Sequence, residues 1–448
     1  MDQPFRLRSR PALALAACGA LIATAAAADA ARAATVLDLV SGVPSGPVID
    51  LDAPGRTAGD QWVFTSAVTD ASGAAVGRLL GNQTTIASSR GAQSVQGALT
   101  FDLTDGQIVV GGTSSATLDS SGLIPAVAFD RAVLGGTGRY SGMRGTVRST
   151  RRADGTYTQH LVLQPAATAG ARTVDVLSGG SPVSAVDLPP QGTTPGDEKI
   201  IDTPLTDAAG AGLGRVRGTQ TVMAVDPDAQ VAQAALTFQL PRGTIVVGGV
   251  TRLPLAGGGT LPDVAQTRTV LGGTGAYAGM SGTDTVTRQG ERYLNHFALT
   301  PGTGAARRPR TLPAVAANGV PGDLDLGPAG LSAGDLFVFD GTFATPAGRR
   351  LGILRGTHTV VAVGAKELTM TSTITYDLRG RGQIVVGGLS PYPTSRRDGT
   401  VRGRSVVRAV LGGTGEFAGA HGTLRAVRRA NGSYRLTFSL LGAPSRKR

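Results

Sequence analysis

GQIVVGG at 106–112, GTIVVGG at 243–249 and GQIVVGG at 382–388 are one phrase written three times, and each is followed about two dozen residues later by VLGGTG. The first glycines of GGTG are Gly135, Gly272 and Gly412, so the period is 137 and then 140 residues. That is far longer than a solenoid unit of ~20 to 50 residues and matches one small independently folding domain. Further landmarks fix the register. A Gly-Asp pair opens each copy (Gly59-Asp60, Gly196-Asp197, Gly334-Asp335), and 17 residues after the Asp come GRLLGNQTT from Gly77, GRVRGTQTV from Gly214 and GILRGTHTV from Gly352. Beyond GGTG stand Tyr140, Tyr277 and Phe417, then a closing strand-like run. The copies are placed at 35–167, 168–303 and 304–444.

Residues 1–34 read as an export signal outside the fold. Arg6, Arg8 and Arg10 precede an apolar stretch from Pro11 to Ala28 that ends in Ala26-Ala27-Ala28, the small residues a signal peptidase needs. The chain is therefore expected to be secreted or held in the cell envelope. Its one cysteine, Cys18, lies in this segment, so the mature chain is expected to carry neither a disulfide nor a Cys metal site. Leu15-Ala16-Ala17-Cys18 also resembles a lipobox, in which Cys18 would be lipidated. No later segment approaches the ~18 to 20 apolar residues of a transmembrane helix.

The net charge of +12 sits in the third copy: residues 303–448 hold 21 Lys and Arg against 8 Asp and Glu, whereas the first two copies are close to neutral. Runs such as Arg307-Arg308, Arg349-Arg350, Arg396-Arg397 and Arg428-Arg429 could grip an anionic envelope polymer, or could be solvated surface arginine. Nucleic acid is excluded as a partner by export and by the lack of stacking aromatics among the basic runs.

With Gly at 66 of 448 residues and no sustained apolar period of 3.6, long helices are not expected. Short alternating or β-branched runs recur instead. In the first copy they are 35–40, 61–68, 77–86, 95–103, 107–110, 126–134, 145–151 and 156–163, separated by turn clusters such as Thr104-Asp105-Gly106. Eight short strands in about 130 residues suit a closed antiparallel barrel, whose interior either fills with side chains or holds one small ligand. The glycines of GGTG do not make a nucleotide loop. The spacing is G-x-G-x-x-x-G and no helix follows to face a phosphate, so a tight strand-to-strand connection is expected.

Taken together, Gly-Asp before an apolar strand, then G-R-x-x-G, then G-x-I, then VLGGTG-x-Tyr/Phe resembles the dirigent proteins and the related allene oxide cyclase family, over nearly the whole of each copy. The resemblance implies eight-stranded antiparallel barrels with an apolar cavity, in a secreted family that is commonly trimeric and works on phenoxy radicals, quinone methides or an allene oxide without metal or organic cofactor. Three such barrels in one monomeric chain would form an intramolecular pseudo-trimer. The family's first-strand acid matches Asp38 and Asp175, with Pro313 in the third copy, while its second acid falls on Ser114, Thr251 and Ser390. The family's arginine stands six residues before GGTG; here Arg131, Arg268 and Arg408 stand four before it, a shift that keeps the same strand face.

Asp38 and Asp175 are the candidate catalytic acids, as inward carboxylates kept partly desolvated; the alternative is a polar group satisfying the barrel end. Arg131, Arg268 and Arg408 either pair with an acid or hold a ligand anion, or else point to solvent. Gln83, Gln220 and His358 share one register position and either line a cavity or close an internal hydrogen bond. His160 and His296 recur on the last strand, but no metal spacing and no repeated Ser/His/Asp set exists, so neither a metal site nor a hydrolase is expected. Two functions stand: a barrel that binds a small hydrophobic or phenolic ligand, with cofactor-free isomerase or cyclase chemistry, and a non-catalytic scaffold attached through its basic third copy.

Overall fold

Runs of β-branched and apolar residues separated by Gly- and Asp-rich turns pair first with their sequence neighbours, and each copy winds into an antiparallel meander that closes on itself. The computed structural model describes residues 34–442 except 52–54, 56, 90–91, 120–121, 124–127, 166–169, 180–183, 256–260, 262–263, 303–308, 318 and 396–398. Cys18 and the export segment up to residue 33 lie outside the described residues, as do Arg307, Arg308, Arg396 and Arg397. No helix among the described residues is long and apolar enough to cross a membrane.

Three eight-stranded antiparallel barrels stand in tandem. In the first, the strand Thr35–Ser41 pairs with Tyr157–Gln164 on one side, from Thr35↔Leu163 to Ser41↔Tyr157, and with Gln61–Asp70 on the other, which closes the ring. The second closes in the same way through Arg172–Gly179, and the third through Arg310–Ala316. The helical elements among the described residues are single 3₁₀ turns, Gly138–Tyr140, Gly275–Tyr277 and Gly415–Phe417, right after the GGTG threonine. Strand alternation fills each interior. Leu37 and Leu39 join Phe64, Phe101 and Leu161 in the first core, while Val36, on the opposite face of the strand, is 52% exposed. Each such buried Leu or Phe contributes roughly 1.5–3 kcal/mol.

The three barrels pack about a shared pseudo-threefold axis, and the repeated motifs are what join them. Pairing along the GGTG strand skips one residue: Val109 faces Gly135 and Val110 faces Val133, so Leu134 is bulged out of the ladder. Leu271 and Leu411 are skipped alike. All three meet in one apolar cluster with Val109, Val246, Val385, Ala132 and Ala409. The glycine after each bulge is where the barrels touch: a Cβ on Gly135 would lie 2.4 Å from Thr269 Cγ2, and one on Gly412 would lie 2.9 Å from Leu134 Cδ2.

The Gly-Asp pair serves the same joint. Asp60 accepts from the Leu51 and Thr57 amides at 3.1 and 2.5 Å, Asp197 from Leu188 and Thr194, and Asp335 from Leu326 and Ser332. These bonds fold an arm whose apolar side chain rests on the next barrel's glycine: Ile49 on Gly196, Val186 on Gly334, and Leu324 back on Gly59. The contacts run first to second to third to first, a head-to-tail ring that closes. At one end of the axis Arg144 of the first barrel donates to the Leu271 carbonyl at 2.6 Å and to the Leu411 carbonyl, tying all three together.

Candidate functional site

Asp38 and Asp175 do not point inward. Because Leu37 and Leu39 face the core, the residue between them faces out, and the two carboxylates are 66% and 61% exposed. Each bonds its register partner on the last strand, Asp38 to His160 Nδ1 and Asp175 to His296 Nδ1, both at 2.6 Å. The third barrel has Pro313 opposite Thr437 at this position and lacks the pair. The expectation of two acids inside the barrels is thus corrected: they form Asp-His pairs on the outer wall.

The three arginines do enter the barrels, all of them buried, and each is treated differently. In the first, Arg131 donates to Ser114 Oγ at 2.8 Å and lies 4.5 Å over the Phe129 ring; burial lowers its pKa to about 10. It borders a cavity of only about 30 Å³ together with Trp62, Gln83 and Tyr157. In the second, Arg268 forms an ion pair with Asp284 at 2.5 Å and bonds Asn295 Oδ1 at 3.0 Å, and Asn295 in turn donates to Ser178. Burial pushes the Asp284 carboxyl up against the pull of Arg268. Gln220 is buried in this barrel at the register position of Gln83.

The third barrel is roomier than the first. Its cavity of about 80 Å³ is bordered by Phe337, Phe339, His358, Tyr376, Tyr392 and Arg408. Ala316 and Ala426 line it at the register positions where Ser41 and Ser149 line the first barrel's cavity. His358 stacks on Phe339 with ring centroids 4.5 Å apart, and its Nε2 meets the Tyr392 hydroxyl at 2.8 Å. Burial, with Arg408 nearby, holds the imidazole neutral, well below its ordinary range, and its Nδ1 has no partner. Burial also raises the Tyr376 phenol to about 12 and pushes Tyr392 up further. Arg408 donates through Nε to Ser390 Oγ at 2.9 Å, and no carboxylate among the described residues pairs with it.

Of the residues singled out in the sequence, the fold therefore brings Arg408 and His358 to one cavity and Arg131 and Gln83 to a smaller one. Tyr392, Tyr376, Phe339 and Asp284 were not foreseen. The signal for Asp284 was a polar residue at a register position held by Val147 and Leu424 in the other copies.

No family model matches the chain, and no curated protein does. Among solved structures, one similar chain is a pyocyanin demethylase, 22% identical with a TM-score of 0.25, covering 29% of this chain and 99% of that one. Another is described as a nonspecific heme-binding cyclase that catalyses [4 + 2] cycloaddition during neoabyssomicin biosynthesis, 24% identical with a TM-score of 0.25, covering 31% of this chain and 67% of that one. Each covers a share close to that of a single barrel.

Proposed function

We propose that the chain is an exported ligand-binding protein of dirigent or allene oxide cyclase type, and that its third barrel holds a small aromatic molecule bearing an acidic oxygen, such as a phenolic acid. The observation that carries this reading is the conjunction in one cavity of stacked rings with a buried arginine that has no acid. An apolar pocket with a few convergent polar groups is the usual form of a small-molecule site. A guanidinium in low dielectric favours a planar carboxylate, which it can bind through two parallel hydrogen bonds. The volume is of the same order as the roughly 150 Å³ hollowed core in which benzene binds. The neutral His358, hydrogen-bonded to Tyr392 and with Nδ1 unpartnered, supplies a group that could accept or return a proton at a bound phenol, so an isomerisation or cyclisation would need no cofactor. The acid-base role moves from Asp38 and Asp175 to this pair.

Calorimetric titration of the mature chain with benzoate, 4-hydroxybenzoate and the uncharged anisole tests it. The two acids should bind and anisole should bind at least tenfold more weakly, about the loss expected for one charge-assisted contact. Arg408→Met should remove that preference. Ala316→Leu with Ala426→Leu, which fills the cavity with apolar volume, should abolish all binding while the barrels stay folded. Equal binding by the filled variant, or no binding of either acid by the native chain, would overturn the proposal.

A further inference from the structure

A third cavity, of about 130 Å³, lies between the barrels and is lined by all three. Its wall repeats register positions around the axis: Gln61, Glu198 and Leu336 form one ring, and Gln96, Gln233 and Thr371 another. Unlike the apolar joint made by Leu134, Leu271 and Leu411, most of the residues lining this wall carry an amide or hydroxyl group. Glu198 is its one ionisable side chain. Thr221 Oγ1 donates to the Glu198 carboxylate at 3.3 Å, and no cationic side chain among the described residues pairs with it; the adjacent Lys199 donates to Gln230 at 2.6 Å.

Three further polar atoms in this wall are buried without a partner: Asn82 Oδ1, Gln233 Oε1 and Gln96 Nε2. Gln96 and Gln233 are only 5% and 8% exposed. Gln96 Oε1 accepts from Thr375 Oγ1 of the third barrel at 3.0 Å; since that hydroxyl can also accept, a half-turn of the amide would present oxygen to the cavity instead. Buried polar groups left unpaired cost free energy, as does a buried carboxylate without a counter-charge.

We propose that this axial cavity binds one alkali-metal cation, held by the Glu198 carboxylate and the side-chain oxygens of Asn82 and Gln233, with threonine hydroxyls completing the shell. The ligand class follows from the donors. All are hard oxygens, and there is no imidazole or thiolate to hold a transition metal. One carboxylate balances one positive charge, whereas a protein site for calcium ordinarily gathers several.

The test is thermal unfolding of the mature chain at pH 8 and fixed ionic strength, with tetramethylammonium chloride replaced stepwise by potassium or sodium chloride. A saturable rise in Tm is expected with an alkali salt. Glu198→Gln should abolish the rise. Gln233→Met, which keeps the charge and removes one oxygen ligand, should raise the midpoint salt concentration about tenfold. Identical Tm in all three salts, a response to calcium or magnesium alone, or a full response in Glu198→Gln would overturn the assignment.

Discussion

Arg268 and Asp284 show what a charge needs in order to live inside a barrel. The pair is almost wholly buried, and Asn295 Oδ1 accepts a further bond from Arg268, while Asp284 Oδ1 is left without a partner. Removing one partner leaves an uncompensated ion: Asp284→Ala should cost about 3–5 kcal/mol. Replacing both by apolar residues, Arg268→Met with Asp284→Leu, should cost far less, since Val147 and Leu424 already occupy the Asp284 position elsewhere. Urea unfolding of the single and double variants measures the difference, and a double variant as unstable as the single would contradict it. The arginines were legible in the sequence because they keep a fixed distance from GGTG. Their partners were not, because Asp284 and Ser390 lie on other strands and meet the arginine only through register. The exposure of Asp38 was legible in the alternation of Leu37, Asp38 and Leu39, yet the family likeness directed the reading inward.

At the level of the strand, VLGGTG is a joint between barrels. A methyl group on Gly135 would meet Thr269 Cγ2 at 2.4 Å, whereas one on Gly272 would meet Ala409 Cβ at 3.3 Å. Gly135→Ala should therefore destabilise by about 1–3 kcal/mol, the usual range for overpacking, and Gly272→Ala by clearly less. Thermal scans of both variants check the ranking; the reverse order would show that the joint is looser than its packing implies. The turn character of the motif could be read from its glycines. Its contact with a second barrel could not, since no single strand reports what lies across an interface. The strand read as 107–110 runs from Gly106 to Asp119. The sequence reading ended at Gly111-Gly112 because glycine normally interrupts a strand. Here the ladder continues, and Gln383 of the third barrel reaches across to bond the Thr113 carbonyl at 2.9 Å.

Across the whole molecule, Arg144 and the buried titratable groups set stability. Arg144→Leu leaves the Leu271 and Leu411 carbonyls without their donor and should cost about 2–4 kcal/mol. Because it touches all three barrels, calorimetry should show one transition moved to lower temperature; a loss confined to one of several transitions would argue against the joint. The pH response has two opposing parts. His421, lowered to about 4, and His358, lowered well below its ordinary value by burial, bind protons more weakly folded than unfolded, so they destabilise as pH falls below the ordinary histidine value near 6.5. Glu198, raised to about 7, contributes stability that is full below the ordinary carboxylate value and lost as pH rises through 7. Without alkali salt, Glu198→Gln should steepen the rise in stability between pH 4.5 and 6.5. A slope unchanged by the substitution would remove Glu198 from this account.

A ring of separate chains falls apart on dilution, and three covalently joined barrels do not, since each meets its neighbours at the effective concentration set by its linkers. Fusion has a subtler result at the axis. Any residue facing the centre of an assembly of identical subunits appears three times, so a carboxylate there would confront two copies of itself and repel them. In the tandem chain that same ring reads Gln61, Glu198 and Leu336. Joining the subunits end to end releases the middle of the molecule from obligatory threefold copying, and so permits a solitary charge where a symmetric ancestor could hold only none or three.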